Sequence, residues 1–405
     1  MKKHLISTLA LSAITLFSVA SCTIDIREEG QTTAPTNPTT GNVLSGTGTL
    51  SGTLKGDLLV KKGNYSLEGI VKVPAGITLT IEPGATFTAK SSVGSSLVVL
   101  QGGKIIAEGT ASEPIVFTSD NKKPGDWGGV TLYGKAPIKA INGATQALSE
   151  DGNAVYYGGS DPNDNSGTMK YVRVEFGGKK IGDGTSETNS MTFYSVGAGT
   201  ILENLVTYMG TDDGYEFFGG TVSAKNLVSY GNYDDSFDWQ DSWSGQNNSN
   251  WFAYQVGTGN FGMEIESSSQ ADNTAPKVAN ITLIRAAGTK PETANSPEIS
   301  AIQFKKQGSG IFSNVYMDGF KNTDGKQAYA VLIQDSATEN DQVNKGKVVV
   351  APANHINSDN LNIWGYGFSP NGGKTFTSDV NVKKVMMTSG AWATVNGVDL
   401  LAALK

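Results

Sequence analysis

A repeat of 22 residues most constrains what this chain can fold into. The segment Asn204-Leu-Val-Thr-Tyr208 returns as Asn226-Leu-Val-Ser-Tyr230, and the pair Asp212-Asp213 returns as Asp234-Asp235 at the same offset of 22. No helical pattern lies inside the repeat. A fixed period of about 20–30 residues without helices is typical of a β-solenoid, in which each repeat forms one coil and stacks on its neighbours.

The composition of the following sequence agrees with that architecture. From about residue 48, short runs of Val, Ile, Leu, Thr, Phe and Tyr alternate with turns rich in Gly, Asn and Asp. Glycine supplies 50 of the 405 residues, and charged residues make up only 17%. Both features favour tight turns and stacked strands over helices.

The N-terminus predicts a lipid anchor. Residues 1–21 have a basic start and a short apolar stretch, which together are typical of a signal peptide. The small residues before Cys22 resemble the lipobox of bacterial lipoproteins, which implies that the thiol of Cys22, the one cysteine of the chain, is lipidated. Residues 22–47 are polar and rich in Thr and Pro, so we expect a flexible tether, followed by a β-helix domain over residues 48–405.

Charge and residue types exclude several classes of partner and site. Without the signal the chain keeps 29 basic against 38 acidic side chains, and it has no basic run, so nucleic acid is not expected as a partner. Lipidation of Cys22 would leave no thiol, and His355 would be the only histidine. Zinc and iron centres built from several Cys or His residues are therefore excluded.

Several segments resemble a known group of proteins. They are Ile77-Thr-Leu-Thr-Ile-Glu-Pro-Gly-Ala-Thr86, Gly103-Lys-Ile-Ile-Ala-Glu-Gly-Thr110, Asp126-Trp-Gly-Gly-Val-Thr-Leu132 and Asp212-Asp-Gly-Tyr-Glu-Phe-Phe-Gly-Gly220. They are similar to cell-surface right-handed β-helix proteins of Bacteroidota, within the pectin-lyase-like superfamily. The acidic pair after Arg27 resembles short export signals of surface lipoproteins in that group. The resemblance implies a fold and a cell-surface location on the outer membrane, and it says little about activity.

The fold prediction is an all-β, single-stranded right-handed parallel β-helix of about a dozen coils over about residues 50–390. Loop insertions are expected near 135–165 and 240–275, and the C-terminal residues from Val398 to Leu401 are expected to cap the last coil. Asparagines that precede strand-like runs predict a structural ladder of amides between coils. These asparagines are Asn204, Asn226, Asn280, Asn314 and Asn360.

The repeat also predicts a row of acids. Apolar and acidic residues alternate in three segments one coil apart, which are Tyr215-Glu216-Phe217, Phe237-Asp238-Trp239 and Met263-Glu264-Ile265. Because side chains alternate between the two faces of a strand, the apolar residues should stack inside and the acids should form a row outside. Two interpretations stay open: a solvated face with turn-forming aspartates, or a calcium site. The candidate calcium ligands are Asp212, Asp213, Glu216, Asp234, Asp235 and Asp238.

Two functions from different classes fit these features. The favoured hypothesis is a non-catalytic surface lipoprotein that acts as an adhesin or binds glycans, with candidate ligand-binding residues Trp243, Trp251, Tyr254, Glu264, Trp364 and Tyr366. The alternative is a calcium-assisted polysaccharide lyase or glycoside hydrolase with Asp235, Asp238 and Arg173 as catalytic candidates. The same residues also have purely structural interpretations: the aromatic residues would fill the core, and Arg173 would form an ion pair with a neighbouring acid.

Replacing Cys22 by Ser tests the anchor. Because several acyl chains would hold the protein on a membrane almost permanently, Cys22→Ser should move the protein from the membrane pellet to the soluble fraction on cell fractionation. A variant that stays with the membrane would contradict lipidation at Cys22.

Overall fold

The structure is a computed structural model, and it describes residues 42–181, 186–292, 299–322, 327–359 and 376–405. Its main sheet contains 22 strands, and all described pairings between those strands are parallel. The predicted all-β parallel β-helix is therefore confirmed. Cys22 and most of the tether lie outside the described residues, as do Asn360, Trp364 and Tyr366.

The strands are short and recur throughout the described chain. In chain order they are β1 (Asn42–Thr53), β2 (Leu58–Val73), β3 (Thr78–Ile81), β4 (Thr86–Ala89), β5 (Ser96–Val99), β6 (Lys104–Glu108), β7 (Ile115–Ser119), β8 (Val130–Tyr133), β9 (Ala147–Leu148), β10 (Tyr156–Tyr157), β11 (Gly167–Glu175), β12 (Lys180–Ile181), β13 (Ser186–Glu187), β14 (Met191–Tyr194), β15 (Ile201–Tyr208), β16 (Tyr215–Phe218), β17 (Ala224–Tyr230), β18 (Phe237–Gln240), β19 (Asn248–Gln255), β20 (Met263–Ile265), β21 (Lys277–Arg285), β22 (Ile302–Phe304), β23 (Gly310–Asp318), β24 (Val331–Ile333), β25 (Val348–Ile356), β26 (Phe376–Ser378), β27 (Thr394–Val395) and β28 (Val398–Asp399).

Helical structure is limited to single turns. An α-helical turn at Ser336–Thr338 continues as a π-helical turn over Glu339–Val343, and 3₁₀ turns lie at Ser91–Val93, Ile141–Gly143, Ala391–Ala393 and Ala402–Leu404. Among the described residues, none of these turns has the length and apolar composition needed to cross a membrane.

The strands of successive coils align in three lines along the axis of the solenoid. Line A begins at β1 and passes through the first halves of β2, β11, β15, β17, β19, β21, β23 and β25, with β3 and β6 between β2 and β11. Line B follows the second halves of the same long strands, with β4 and β7 in the early coils. Line C consists of the end of β2 and then β5, β8, β14, β16, β18, β20, β22 and β24.

Alternation along each strand separates the core from the outer faces, as the sequence predicts. On line C the inward side chains are fully buried, and they include Tyr215, Phe217, Phe237, Trp239, Met263 and Ile265. Each of these side chains stacks over its counterpart in the next coil, because the register between strands shows no shift there. Burial of apolar surface at about 25 cal/mol per Å² makes this continuous stack the main favourable contribution to folding.

The predicted asparagine ladder is present, and it includes Asn250, which was not among the predicted members. Asn226 donates to Asn204 at 2.9 Å, Asn250 to Asn226 at 2.9 Å, Asn280 to Asn250 at 3.0 Å and Asn314 to Asn280 at 3.0 Å. Each ladder residue turns the chain from line A to line B with a positive φ of 55–60°. Asparagine tolerates this left-handed conformation better than most residues, which explains the residue type at the turn.

One predicted insertion is confirmed and the other is wrong. Residues 134–166 leave the coil and form the β9–β10 hairpin, and Tyr157 of this insertion packs on Tyr194 and Phe218 of line C. The segment 240–275 contains β19 and β20 and continues the coils instead. Its Gly, Asn and Ser residues lie partly in the turns and partly in β19, which begins Asn248-Ser249-Asn250.

The C-terminal segment does not cap the last coil, in contrast to the prediction. Residues 379–405, called here the strap, run back over the outer face of line B. Trp392 donates its backbone N–H to the carbonyl of Ala111, and Val385 donates its N–H to Thr282 at 2.8 Å. Apolar strap residues cover a stripe of outward residues that includes Val206, Val228 and Phe252.

Replacing Asn250 tests the ladder. Asn250→Ala removes two ladder hydrogen bonds, each contributing about 1 kcal/mol, and forces a residue with a Cβ and no local hydrogen bond into the left-handed region, which costs about 1–2 kcal/mol more. The free energy of unfolding should fall by about 3 kcal/mol in urea titration. Asn250→Gly is the matched variant: it loses the same hydrogen bonds without the backbone strain, so it should lose about 1 kcal/mol less. Equal losses in the two variants would contradict the role of the left-handed turn.

Candidate functional site

A row of polar side chains follows the outer side of line C, one per coil. Strand register places Thr192 beside Glu216, Glu216 beside Asp238, Asp238 beside Glu264 and Glu264 beside Gln303. Neighbouring strands lie about 4.8 Å apart, so the three carboxylates stand one above another. Glu216, Asp238 and Glu264 are called here the acidic row, and its existence was predicted from the repeat.

Two acids of the row are buried and Glu264 is partly exposed, which argues against the interpretation of the row as a solvated face. Glu216 is only 4% exposed and Asp238 is 9% exposed. Asn189 donates its side-chain N–H to Glu216 Oε2, and Gln240 donates to Glu216 Oε1 at 3.0 Å. The repeat shows which side chains point outward from the strands. It does not show that neighbouring turns and the 134–166 insertion lie beside these strands and exclude water.

The aspartate pairs of the repeat have a structural role in addition. Asp213 accepts a hydrogen bond from the backbone N–H of Asp235 at 2.9 Å, and Asp235 accepts one from the N–H of Phe261 at 2.6 Å. Asn189 begins this series by accepting from the N–H of Asp213 at 3.2 Å. One oxygen of the second aspartate in each pair therefore links its turn to the next coil, which agrees with the interpretation of these residues as turn formers.

Several of these acids come close enough to share one cation. Their carboxylate oxygens lie within 4.8 Å of one another in three groups, which are Asp212 with Asp213 and Asp234, Asp213 with Glu216 and Asp238, and Asp235 with Asp238 and Glu264. Calcium takes oxygen ligands at about 2.3–2.6 Å, so oxygens on opposite sides of one ion are about 5 Å apart. The spacing of each group fits a single calcium ion.

Two buried side chains of the row have polar atoms without a protein partner among the described residues. One is Asp238, whose Oδ1 atom accepts no hydrogen bond there, and the other is Gln303, whose amide oxygen and nitrogen both lack a partner. Gln303 is 0% exposed and is the neighbour of Glu264 in the row. A buried polar group without a partner costs about 1–3 kcal/mol, and an oxygen-binding ion beside the row would satisfy Asp238.

The electrostatics of the cluster favour neutralisation. Burial, followed by the charges of neighbouring carboxylates, raises the pKa values of Asp213 and Asp235 well above the ordinary range. Burial and then Glu150 raise the pKa of Glu216. Burial and then Glu264 raise the pKa of Asp238, while Lys305 opposes that rise. Without a cation, these carboxyl groups therefore bind protons more readily in the folded protein than in water.

Lys305 joins the row, although sequence reasoning did not identify it. Its ammonium lies 2.5 Å from Glu264 and 3.9 Å from Glu266, and Lys306 lies 2.7 Å from Glu266. Burial opposes the charge of Lys305, but Glu264 and Asp238 outweigh burial and raise its pKa. Lys305 follows Glu264 by 41 residues, so the 22-residue repeat does not align the two. The only sequence feature that could have indicated the contact is that Lys305 comes two residues after Gln303, the neighbour of Glu264 in the next coil.

The other predicted site residues lie elsewhere, and physical reasons explain each correction. Arg173 lies on line B beneath the strap, where it pairs with Glu175 at 2.6 Å and donates to the carbonyl of Ala391 at 2.7 Å. Trp243 and Trp251 are 1% and 0% exposed and fill the core, so they are not ligand platforms. Tyr254 stacks on Tyr230 at 5.0 Å, in a row of tyrosines beside the strap.

A second feature is an open groove of about 430 Å³ on the outer face of line A. Hydroxyl and amide side chains dominate its wall, among them Thr200, Thr221, Ser223, Gln246 and Asn247. Ile201, which is 41% exposed, adds an apolar surface. Groups that both donate and accept hydrogen bonds beside an apolar patch suit the hydroxyls and ring faces of a sugar.

Comparison with known proteins identifies the architecture. The family described as pectate-lyase-like beta helix domain matches residues 52–393. Among solved structures, the chain is similar to the Dettilon tailspike protein, with 10% sequence identity and a TM-score of 0.22. That match covers 69% of this chain and 59% of the tailspike chain, and at this level of similarity it supports no conclusion about activity. No curated protein sequence matches the chain.

The buried carboxyl groups predict how stability changes with pH in metal-stripped protein. A carboxyl group with a raised folded-state pKa binds more protons when folded than when unfolded, so its stabilising contribution is present below the unfolded pKa of about 4 and is lost as pH rises. The urea midpoint of wild type should therefore fall relative to Asp238→Asn between about pH 5 and pH 8. Asp120→Asn is the control of opposite sign, because a hydrogen bond from Ser91 lowers the pKa of Asp120. A wild-type curve parallel to that of Asp238→Asn would contradict the raised pKa.

Proposed function

The chain belongs to the pectate-lyase-like β-helix domain family, and on that premise we propose that it is a non-catalytic, cell-surface lipoprotein that holds calcium in its acidic row and binds glycans on its outer faces. The observation that carries the proposal is the burial of Glu216 and Asp238 in the acidic row. Carboxylates that are buried this close together repel one another, which favours a bound cation. Burial also separates these carboxylates from any polysaccharide chain on the outer surface.

Burial is the first argument against catalysis. A general acid or base must come within about 2.6–3.2 Å of the atom that it protonates or deprotonates. Glu216 and Asp238 are nearly enclosed, and both oxygens of Glu216 accept hydrogen bonds from amide side chains. A glycosidic bond on the outer surface would not reach them without displacement of the surrounding turns.

The lack of a suitable base is the second argument. Arg173 binds Glu175 and the strap on another face of the solenoid. Lys305 is beside the row, but Glu264 and Asp238 keep its ammonium protonated. A lyase needs a basic group that accepts a proton near neutral pH, and neither residue meets that requirement. The lyase or hydrolase alternative therefore depends on an opening of the site, and no observation favours it.

Calcium fits the ligand set better than other common cations. Asp213, Glu216 and Asp238 offer oxygen ligands only, and they come from two successive coils whose backbone geometry is fixed by the sheet. Hard oxygen ligands select calcium or magnesium, and magnesium usually retains several waters, for which a buried row of side chains leaves little room. Asp235 and Glu264 form a second group through the shared Asp238.

Surface location and glycan binding complete the proposal. Lipidation of Cys22 would anchor the protein to an outer membrane. The predicted tether of residues 22–47 would be shortened by β1, which begins at Asn42, and its remainder would hold the domain away from the membrane. The groove on line A, with Thr221, Ser223 and Gln246, supports glycan recognition because it presents hydroxyl and amide groups beside an apolar patch. Trp364 and Tyr366 remain predicted ligand-binding residues outside the described part of the chain.

Calcium should raise the melting temperature of the domain. An ion that binds only the folded state stabilises it by about 4 kcal/mol at 1,000 times its Kd, so we expect a higher midpoint in millimolar calcium than in EGTA, measured by differential scanning calorimetry. Asp238→Asn should abolish this shift and stabilise the metal-free domain by relieving repulsion. Glu108→Gln, an exposed acid on line A, is the matched control and should retain the shift.

Two outcomes would overturn parts of the proposal. A midpoint that is the same in calcium and in EGTA would remove the calcium site. Release of unsaturated or reducing ends from plant, algal or host polysaccharides, with loss of that release in Glu216→Gln or Asp235→Asn, would replace the binding function by the enzymatic alternative.

A further inference from the structure

A second groove lies between the asparagine ladder and the first part of the strap. Its volume is about 440 Å³, and neither the acidic row nor the groove on line A contributes to it. Residues that bear on its chemistry are Asn250, Asn280, Asn314, Lys383, Lys384 and Met386. The groove follows the axis of the solenoid, because successive ladder residues belong to successive coils.

The strap forms a defined wall of this groove. Asn354 donates to the carbonyl of Val382 at 3.0 Å, and Val385 donates its N–H to Thr282 at 2.8 Å. Lys384 donates to the carbonyl of Ala403 at 2.7 Å and lies 5.9 Å from the centre of the Tyr316 ring. These contacts come from several coils, so they fix the strap backbone against the ladder.

The charge of the groove is opposite to that of the whole chain. The protein has a formal net charge of −7, yet two adjacent lysines line this groove and no carboxylate does so among the described residues. Asp379 of the strap accepts hydrogen bonds from the backbone and side chain of Asn381. Lys383 is exposed and lines the groove beside Lys384.

The ladder supplies neutral hydrogen-bonding groups at a regular interval. Each amide has two N–H donors and two carbonyl lone pairs, and the ladder itself uses one donor and one lone pair of Asn250 and Asn280. The remaining groups recur at one coil, about 4.8 Å, along a line. Met386, which is 92% exposed, adds an apolar surface at the rim.

We propose that this groove binds an anionic saccharide, with Lys383 facing a carboxylate or sulfate group and the ladder amides bonding the ring hydroxyls. Lys384, whose ammonium donates to Ala403, adds positive charge to the wall. The inference rests on the proposed glycan-binding function and adds a ligand class and a site. A sugar fits better than an acidic peptide because every ring hydroxyl both donates and accepts, as the amides do, whereas a peptide has separate backbone donors and acceptors and its carboxylate side chains only accept. The site needs no calcium, since lysine provides the positive charge.

The test measures binding by isothermal titration calorimetry to the full mature domain in EGTA at low salt. The probes are a short uronic-acid oligosaccharide, a sulfated oligosaccharide, the neutral oligosaccharide of the same length, and poly-glutamate. We expect at least one anionic sugar to bind, with affinity about tenfold weaker for Lys383→Ala, a loss equivalent to about 1.4 kcal/mol. Lys383→Arg should retain affinity, and Lys104→Ala, an exposed lysine on another coil, should match wild type.

Each result separates this inference from the proposed function. Binding of the neutral sugar alone, or anionic binding unaffected in Lys383→Ala, would overturn the site while glycan binding stands. Binding of poly-glutamate as tight as that of the anionic sugars would overturn the saccharide assignment. Failure of every sugar to bind would overturn both this inference and the glycan-binding function, whereas the calcium prediction is measured separately by the melting shift.

Discussion

In-register stacking of parallel strands is the constraint on which the rest of this structure depends. Each strand donates and accepts backbone hydrogen bonds from the coils above and below, so residues one repeat apart are held about 4.8 Å apart. Any residue type that recurs in the sequence is thereby concentrated in space. Recurring aromatics become a continuous core, recurring asparagines become a chain of amide hydrogen bonds, and recurring acids become a row of carboxylates.

The same stacking has opposite energetic effects on these groups. Apolar side chains and amides gain from contact with their own kind, since amides offer both donors and acceptors. Carboxylates repel, and burial increases the repulsion because the effective dielectric constant falls. Glu216 and Asp238 are therefore stable only when protons, Lys305 or a cation balance their charge, and the raised pKa values of the buried acids express this requirement.

Segments outside the repeat decide which stretches of the solenoid surface stay open. The insertion over residues 134–166 packs its tyrosine on line C, and the strap covers an apolar stripe on line B. Uncovered, that stripe of Val206, Val228 and Phe252 would expose a contiguous apolar surface, which soluble domains rarely present. The strap also forms one wall of the lysine-lined groove. Lys383 and Lys384 lie beside the ladder because the strap runs back along the coils.

The sequence by itself determined the coil repeat, the inward and outward parity, the asparagine ladder and the row formed by Glu216, Asp238 and Glu264. These follow from local periodicity, because a repeat of fixed length in a parallel sheet sets the register of neighbouring strands. Only the tertiary structure decided that two acids of the row are buried, that Lys305 joins it, that Arg173 lies beneath the strap, and that Trp243 and Trp251 fill the core. Those outcomes depend on contacts between residues far apart in sequence and outside the repeat, which periodicity does not specify.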